Sequence, residues 1–136
     1  WVWERIRGNG WKIGLVGMIF LGQIGFAARS FQAIWKYNEL ERELVAAMGD
    51  MGGKKVYTFG LETAFAAYGV PCEVESLWYR EIRDARKGEY LLLNKAAIEQ
   101  QFEGYPPMKN WVIFQSQFSV DTIRTYREGW ILYEFR

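Results

Sequence analysis

Histidine is absent from this chain, and cysteine occurs once, as Cys72. The first absence excludes histidine-based acid–base catalysis, histidine-ligated metals and axial-histidine haem. The second excludes an internal disulfide. Neither sign of charge is in excess: 17 Lys and Arg against 16 Asp and Glu leave a formal +1. That balance gives no electrostatic basis for binding nucleic acid. Internal repeats and low-complexity stretches are missing, and so is a glycine-rich phosphate loop. A dinucleotide fold would keep its loop within Val56–Ala66, where Gly60 stands alone before bulky Leu61 and acidic Glu62. A phosphate cradle needs several glycines for close backbone approach, and a carboxylate there repels the ligand. No cofactor, metal site or catalytic residue is expected.

What the chain does have is Ile13–Ala28, sixteen consecutive residues without a charge. A bilayer crossing takes about twenty, and the flanks supply the difference. Arg29 can snorkel, and Ser30–Trp35 adds only Gln32 as a further strongly polar group. Trp11 and Lys12 on one side, with Trp35, Lys36 and Tyr37 on the other, make the aromatic and basic edges of two headgroup layers. A helix from Trp11 to Trp35 rises roughly 36 Å, enough to cross with some tilt. A buried core helix and an uncleaved signal peptide are the competing readings. A signal peptide would end in small residues at a cleavage site, whereas this pattern runs on into charge. The expected division is an arm over 1–12, a transmembrane helix over 13–35 and a folded domain over 36–136. A chain opening on Trp1 reads as a processed product or a piece of something longer.

About a hundred residues remain for the domain, enough for one core. The arm, Trp1–Lys12, is basic and aromatic, with a Gly-Asn-Gly break. After the span, Lys36–Ala47 predicts a helix with Leu40, Leu44 and Ala47 on one face, stopped near Gly52-Gly53. Lys55–Phe59 predicts a strand ended by Gly60. Leu61–Tyr68 predicts a helix closed by Gly69 and Pro71. Cys72–Leu77 alternates as a strand, and Tyr79–Lys87 predicts a charged surface helix. Tyr90–Asn94 is a continuous apolar run of the kind covered on both faces. Asn94 can cap a helix over Lys95–Phe102. Gly104–Pro107 reads as a loop, Asn110–Gln117 as a short helix. Val120–Arg127 and Trp130–Phe135 flank Glu128-Gly129, a two-residue hairpin signal. The alternation predicts an α/β fold: a small three-layer domain with a mostly parallel sheet and a C-terminal β-hairpin.

Three groups of side chains invite a chemical reading. Glu73 and Glu75 share one strand face, as a catalytic pair would, and equally as the carboxylates of a solvated edge. Arg80, Arg83, Arg86 and Lys87 form a basic stripe interleaved with Glu81 and Asp84, suited to a solvated surface or to lipid headgroups. Cys72 reads as a small core residue rather than a nucleophile. Seven Trp, eight Tyr and nine Phe are many for 136 residues, and the membrane edges account for part of them.

The span, the leucine-bearing helix after it and KVYTFGLETAFAAYGV (Lys55–Val70) occur in a known order with YLLLNKAAIEQQFEG (Tyr90–Gly104) and WILYEF (Trp130–Phe135). Together they resemble the last transmembrane helix and C-terminal extracytoplasmic domain of bacterial glycosyltransferases of family 39. Those are the dolichyl-phosphate-mannose-mannosyltransferase-like and aminoarabinose-transferase-like membrane enzymes. The resemblance, to enzymes with many spans, implies a bacterial cytoplasmic membrane, a cytoplasmic arm and an extracytoplasmic α/β domain; the single pass is read from the sequence itself. It implies a lipid-linked sugar donor for the parent enzyme. That family's acidic base lies in an early extracytoplasmic loop, which nothing here matches, so no catalytic role carries over to any residue.

The span has one further feature. Taking Gly14 as zero at 100° per residue, Gly17, Gly22, Gly25 and Ala28 all fall within roughly 140° of one helix face. Small residues permit the close backbone approach by which helices associate in lipid, and Gln23 lies opposite. The expected partners are membrane lipid and other transmembrane subunits docked on this face, with no nucleic acid. The expected function is a non-catalytic, single-span structural element of a larger membrane complex, photosynthetic or respiratory. The alternative is the accessory C-terminal domain of an active membrane glycosyltransferase.

Overall fold

The computed structural model describes residues 2–136, with side chains from Gly10 onward. The arm's side chains, Trp1–Asn9, lie outside the described residues. Helix α1 (Val2–Ala46) runs without interruption through the Gly-Asn-Gly stretch and past Trp35, so the expected break and the two expected helices are one element. The residues through Glu39 form one compact unit and Leu40–Arg136 a second.

In the first unit, every residue from Gly10 to Glu39 is exposed. Among the described residues this is the one helix long and apolar enough to cross a membrane, and none of its apolar window is buried.

The second unit takes up α1 at Leu40 and continues with β1 (Lys55–Thr58), α2 (Glu62–Tyr68), β2 (Glu73–Ser76), β3 (Tyr90–Asn94), α3 (Lys95–Gln101), α4 (Pro106–Gln117), β4 (Val120–Thr125) and β5 (Trp130–Phe135). The strands form a five-stranded sheet in the order β2-β1-β3-β5-β4. β1 pairs in parallel with β2 and β3, while β5 pairs antiparallel with β3 and with β4. The sheet is therefore mixed, not mostly parallel. A hairpin turn forces antiparallel pairing, and β5 lies inside the sheet against β3, so the hairpin contributes half of the pairings.

Strand alternation divides the core in two. Val56, Tyr90, Leu92, Trp130 and Leu132 face Leu40, Leu44, Val45 and Met48 with Leu61 and Phe65. Tyr57, Leu91, Leu93, Tyr133 and Phe135 face Ile98, Trp111 and Phe114 with Leu77 and Ile82. Helical cover on both faces gives the three layers that the α/β pattern predicts. β3 is buried from Tyr90 through Leu93, as its unbroken apolar run requires.

Local signals act where the residues put them. Asn94 Oδ1 accepts from Ala97 N at 3.1 Å, capping α3, while its Nδ2 donates to Glu128 O at 2.7 Å. Glu128 and Gly129 both take positive φ, 55° and 77°, as the primed hairpin turn demands. Pro106 and Pro107 open α4, so the expected loop ends sooner; proline's missing N–H costs nothing in a first turn.

Tyr79–Lys87 is not helical. The buried Asn110 of α4 takes up its backbone: Oδ1 accepts from Ile82 N at 2.7 Å, and Nδ2 donates to Leu77 O and Arg80 O at 2.8 and 2.9 Å. Groups that a helix would pair internally are spent on one side chain, and Ile82 is drawn into the core. Asn110→Leu removes all three bonds and strands buried backbone groups, so a loss of about 3 kcal/mol is expected in urea unfolding. An unchanged midpoint would show that the segment holds without Asn110. Leu92→Asp buries an unpaired charge at the sheet centre and should cost about 4 kcal/mol or prevent folding altogether.

Candidate functional site

The glycine face expected on the span is open. A Cβ built on Gly14, Gly17, Gly22 or Gly25 meets nothing within 4 Å, and Ala28 is exposed.

In the domain, the carboxylates that invited a chemical reading are engaged structurally, as are Arg80 and Arg83 of the basic stripe, while Arg86 and Lys87 are exposed. Glu62 turns back on the β1–α2 loop: one oxygen accepts from Gly60 N at 2.9 Å and the other from the Ser76 hydroxyl. The loop's backbone donor at Gly60 is thus taken by the chain's own carboxylate. Glu73 and Glu75 lie on edge strand β2 with Lys55 between them, its Nζ at 3.3 and 2.6 Å. Arg80 reaches Glu75 at 2.6 Å and Asp84 at 2.9 Å. The result is an ion-pair ladder along a sheet edge, not an acid–base pair. The hydrogen bond from Arg80 holds the Asp84 carboxyl below its ordinary range. Cys72 packs beside the first core cluster and lines an open cleft of about 360 Å³ with Phe65, Gly69 and Val74. Burial pushes its thiol up, away from the reactive thiolate. Among the described residues no cluster of acidic or cysteine side chains could hold a metal ion.

The feature that sequence reasoning missed is an aromatic shelf. Phe59 follows β1, Trp78 follows β2, Phe102 ends α3 and Tyr105 precedes α4. Phe59 and Trp78 stack with ring centres 5.7 Å apart, and Phe102 meets both edge-on at 4.7 and 6.1 Å. Trp78 and Tyr105 stack at 6.2 Å with planes only 10° apart. Phe59 and Phe102 are half-buried and anchor the set, whereas Trp78 stays 40 % exposed and Tyr105 56 %. The shelf lies at the carboxyl ends of two parallel strands. The chain leaves β1 toward α2 on one face of the sheet and leaves β3 toward α3 on the other. Open α/β sheets bind ligands at such a reversal. The available signal was four aromatics at element ends beside Gly60 and Gly104, drawn from an aromatic excess otherwise assigned to the membrane edges.

No protein-family model, curated protein or solved structure matches this chain. Function therefore rests on the geometry.

The domain's one strongly perturbed hydroxyl is structural. Burial, and then the 2.7 Å hydrogen bond it donates to Glu89, hold the Tyr57 proton far above the ordinary tyrosine range. Burial also raises Tyr133 and Tyr126. Unfolded tyrosines ionise near pH 10 while these stay protonated in the fold. Stability is therefore fully present below about pH 10 and falls as pH rises further, because the folded state then binds more protons. The urea midpoint should drop between about pH 9 and pH 11, and Tyr57→Phe should flatten that drop. A midpoint constant across that range would contradict the assignment.

Proposed function

We propose that the chain is a membrane-tethered structural element, crossing the lipid once over 13–35 and carrying the α/β domain in water. The carrying observation is that Gly10–Glu39 is exposed throughout and uncharged from Ile13 to Ala28. Apolar surface of that extent is not stable in water and needs lipid or protein around it. Its helical backbone satisfies its own hydrogen bonds, as hydrocarbon requires. In this reading Gly14, Gly17, Gly22, Gly25 and Ala28 dock on transmembrane helices of a larger complex. We propose a cytoplasmic arm and a domain outside a bacterial cytoplasmic membrane, a choice that rests only on the sequence resemblance to family 39 glycosyltransferases. The flanking charges alone are nearly balanced, with Arg5, Arg7 and Lys12 before the span and Arg29, Lys36 and Arg42 after it.

A second reading makes the domain an accessory part of a membrane glycosyltransferase that uses a lipid-linked donor. One observation favours it: the carboxyl ends of the parallel strands β1 and β2 carry a shelf of packed aromatic rings with Trp78 and Tyr105 exposed.

Two measurements test the tether. Protease added to right-side-out cells should digest the domain, and its protection would reverse the topology. Replacing Gly17 and Gly25 by leucine should release the chain from co-purifying subunits while leaving it inserted. Unchanged co-purification would move attachment to the domain.

A further inference from the structure

We propose that the shelf of Phe59, Trp78, Phe102 and Tyr105 binds a neutral sugar ring, laid against the solvent-exposed parts of Trp78 and Tyr105. The inference deepens the second reading above, but its test needs neither the span nor a parent enzyme.

Three observations lead to it. The rings are fixed before any ligand arrives. Phe59 stacks on Trp78 and Phe102 meets it edge-on, and Trp78 N donates to Ser76 Oγ at 3.2 Å. Ser76 in turn donates to Glu62, which is anchored on Gly60 N. A preorganised surface loses little side-chain freedom on binding. Next, Trp78 and Tyr105 are nearly parallel and open to solvent, which suits a ligand with a flat apolar face. A pyranose has one, formed by its axial C–H bonds, with hydroxyls around the edge.

The third observation is the charge at the rim. Exposed Glu103 follows Phe102 and exposed Lys109 lies one turn beyond Tyr105, while Glu62 is already committed to Gly60 N and Ser76. Arg80, two residues from Trp78, is already committed to Glu75 and Asp84. One carboxylate and one lysine can exchange hydrogen bonds with hydroxyls, which both donate and accept. They do not form the cluster of cations that a nucleotide, a polyphosphate or an anionic headgroup layer requires. A neutral polyhydroxylated ring satisfies both the stack and the rim.

The test uses the full chain in detergent, titrated with cellotetraose and with a mannose tetrasaccharide. Ligand-detected saturation-transfer NMR and tryptophan fluorescence report binding. Saturable binding of at least one tetrasaccharide is expected, with C–H protons of one ring face receiving the most transfer. Trp78→Ala and Tyr105→Ala should each weaken it about tenfold, the loss of one stacking face. Tyr79→Ala, which removes an exposed ring outside the stack, should leave it unchanged. Melting curves for each variant separate lost binding from lost folding, and Tyr105, the more exposed ring, guards against collapse of the Trp78 variant. Absence of saturation with both sugars would overturn the proposal, and so would equal losses in the Tyr79 variant. In nanodiscs of brominated phosphatidylcholine, quenching that disappears in Trp78→Phe would mean the shelf rests on lipid, which also overturns it. Failure of the protease or co-purification measurements would count against the tether and leave these titrations unaffected.

Discussion

A strand that is apolar on both sides can exist in water only if something covers each side. β3 imposes that condition on the whole domain. Tyr90 and Leu92 need cover on one face and Leu91 and Leu93 on the other, and the chain provides it from distant segments. The end of α1 from Leu40, with α2, closes the first face; α3, α4 and the segment around Ile82 close the second. Burial of this kind is the main favourable term in folding, so each covering element is held chiefly by what it hides. The buried polar groups follow from it. Thr58 gives its hydroxyl to Leu92 O, and Asn110 satisfies three backbone groups where an irregular segment crosses the covered face.

This explains which parts of the fold were legible. Tyr90–Asn94, the Asn94 cap and the Glu128-Gly129 turn follow from residues within a few positions of one another, and local chemistry decided them. The α/β alternation was legible for the same reason, because apolar period and glycine punctuation are local. Three features were not. Tyr79–Lys87 carries helical charge spacing, and Arg80 and Asp84 do form their i, i+4 pair, but Asn110, 28 residues beyond Ile82, claims the backbone. The direction of β5 against β3 depends on where a hairpin docks, not on the strand's residues. The shelf gathers side chains from four element ends spread from Phe59 to Tyr105, none informative alone.

The candidate site divides along the same line. The uncharged run and its glycine face are periodic features of one helix and could be read directly. The carboxylate groups could be found but not interpreted, since Lys55, Arg80 and Ser76 decide that they are ion-paired or hydrogen-bonded structure. The two units treat apolar side chains in opposite ways. One stretch exposes apolar side chains that only lipid or protein can cover, and the other buries its apolar side chains in water. Within the second, Trp78 and Tyr105 are stacked rings left open near the carboxyl ends of the parallel strands, while Tyr68 and Tyr79 are exposed outside the stack.

The central claim is that Ile13–Ala28 lies in hydrocarbon. Single nitroxide labels placed along 11–37 of the full chain in nanodiscs, with oxygen and a water-soluble nickel chelate as competing relaxants, measure it most directly. The account predicts oxygen accessibility highest near Leu21, falling toward Trp11 and Trp35, with the chelate excluded between them. Chelate access at Leu21 equal to that at Tyr37 would contradict it.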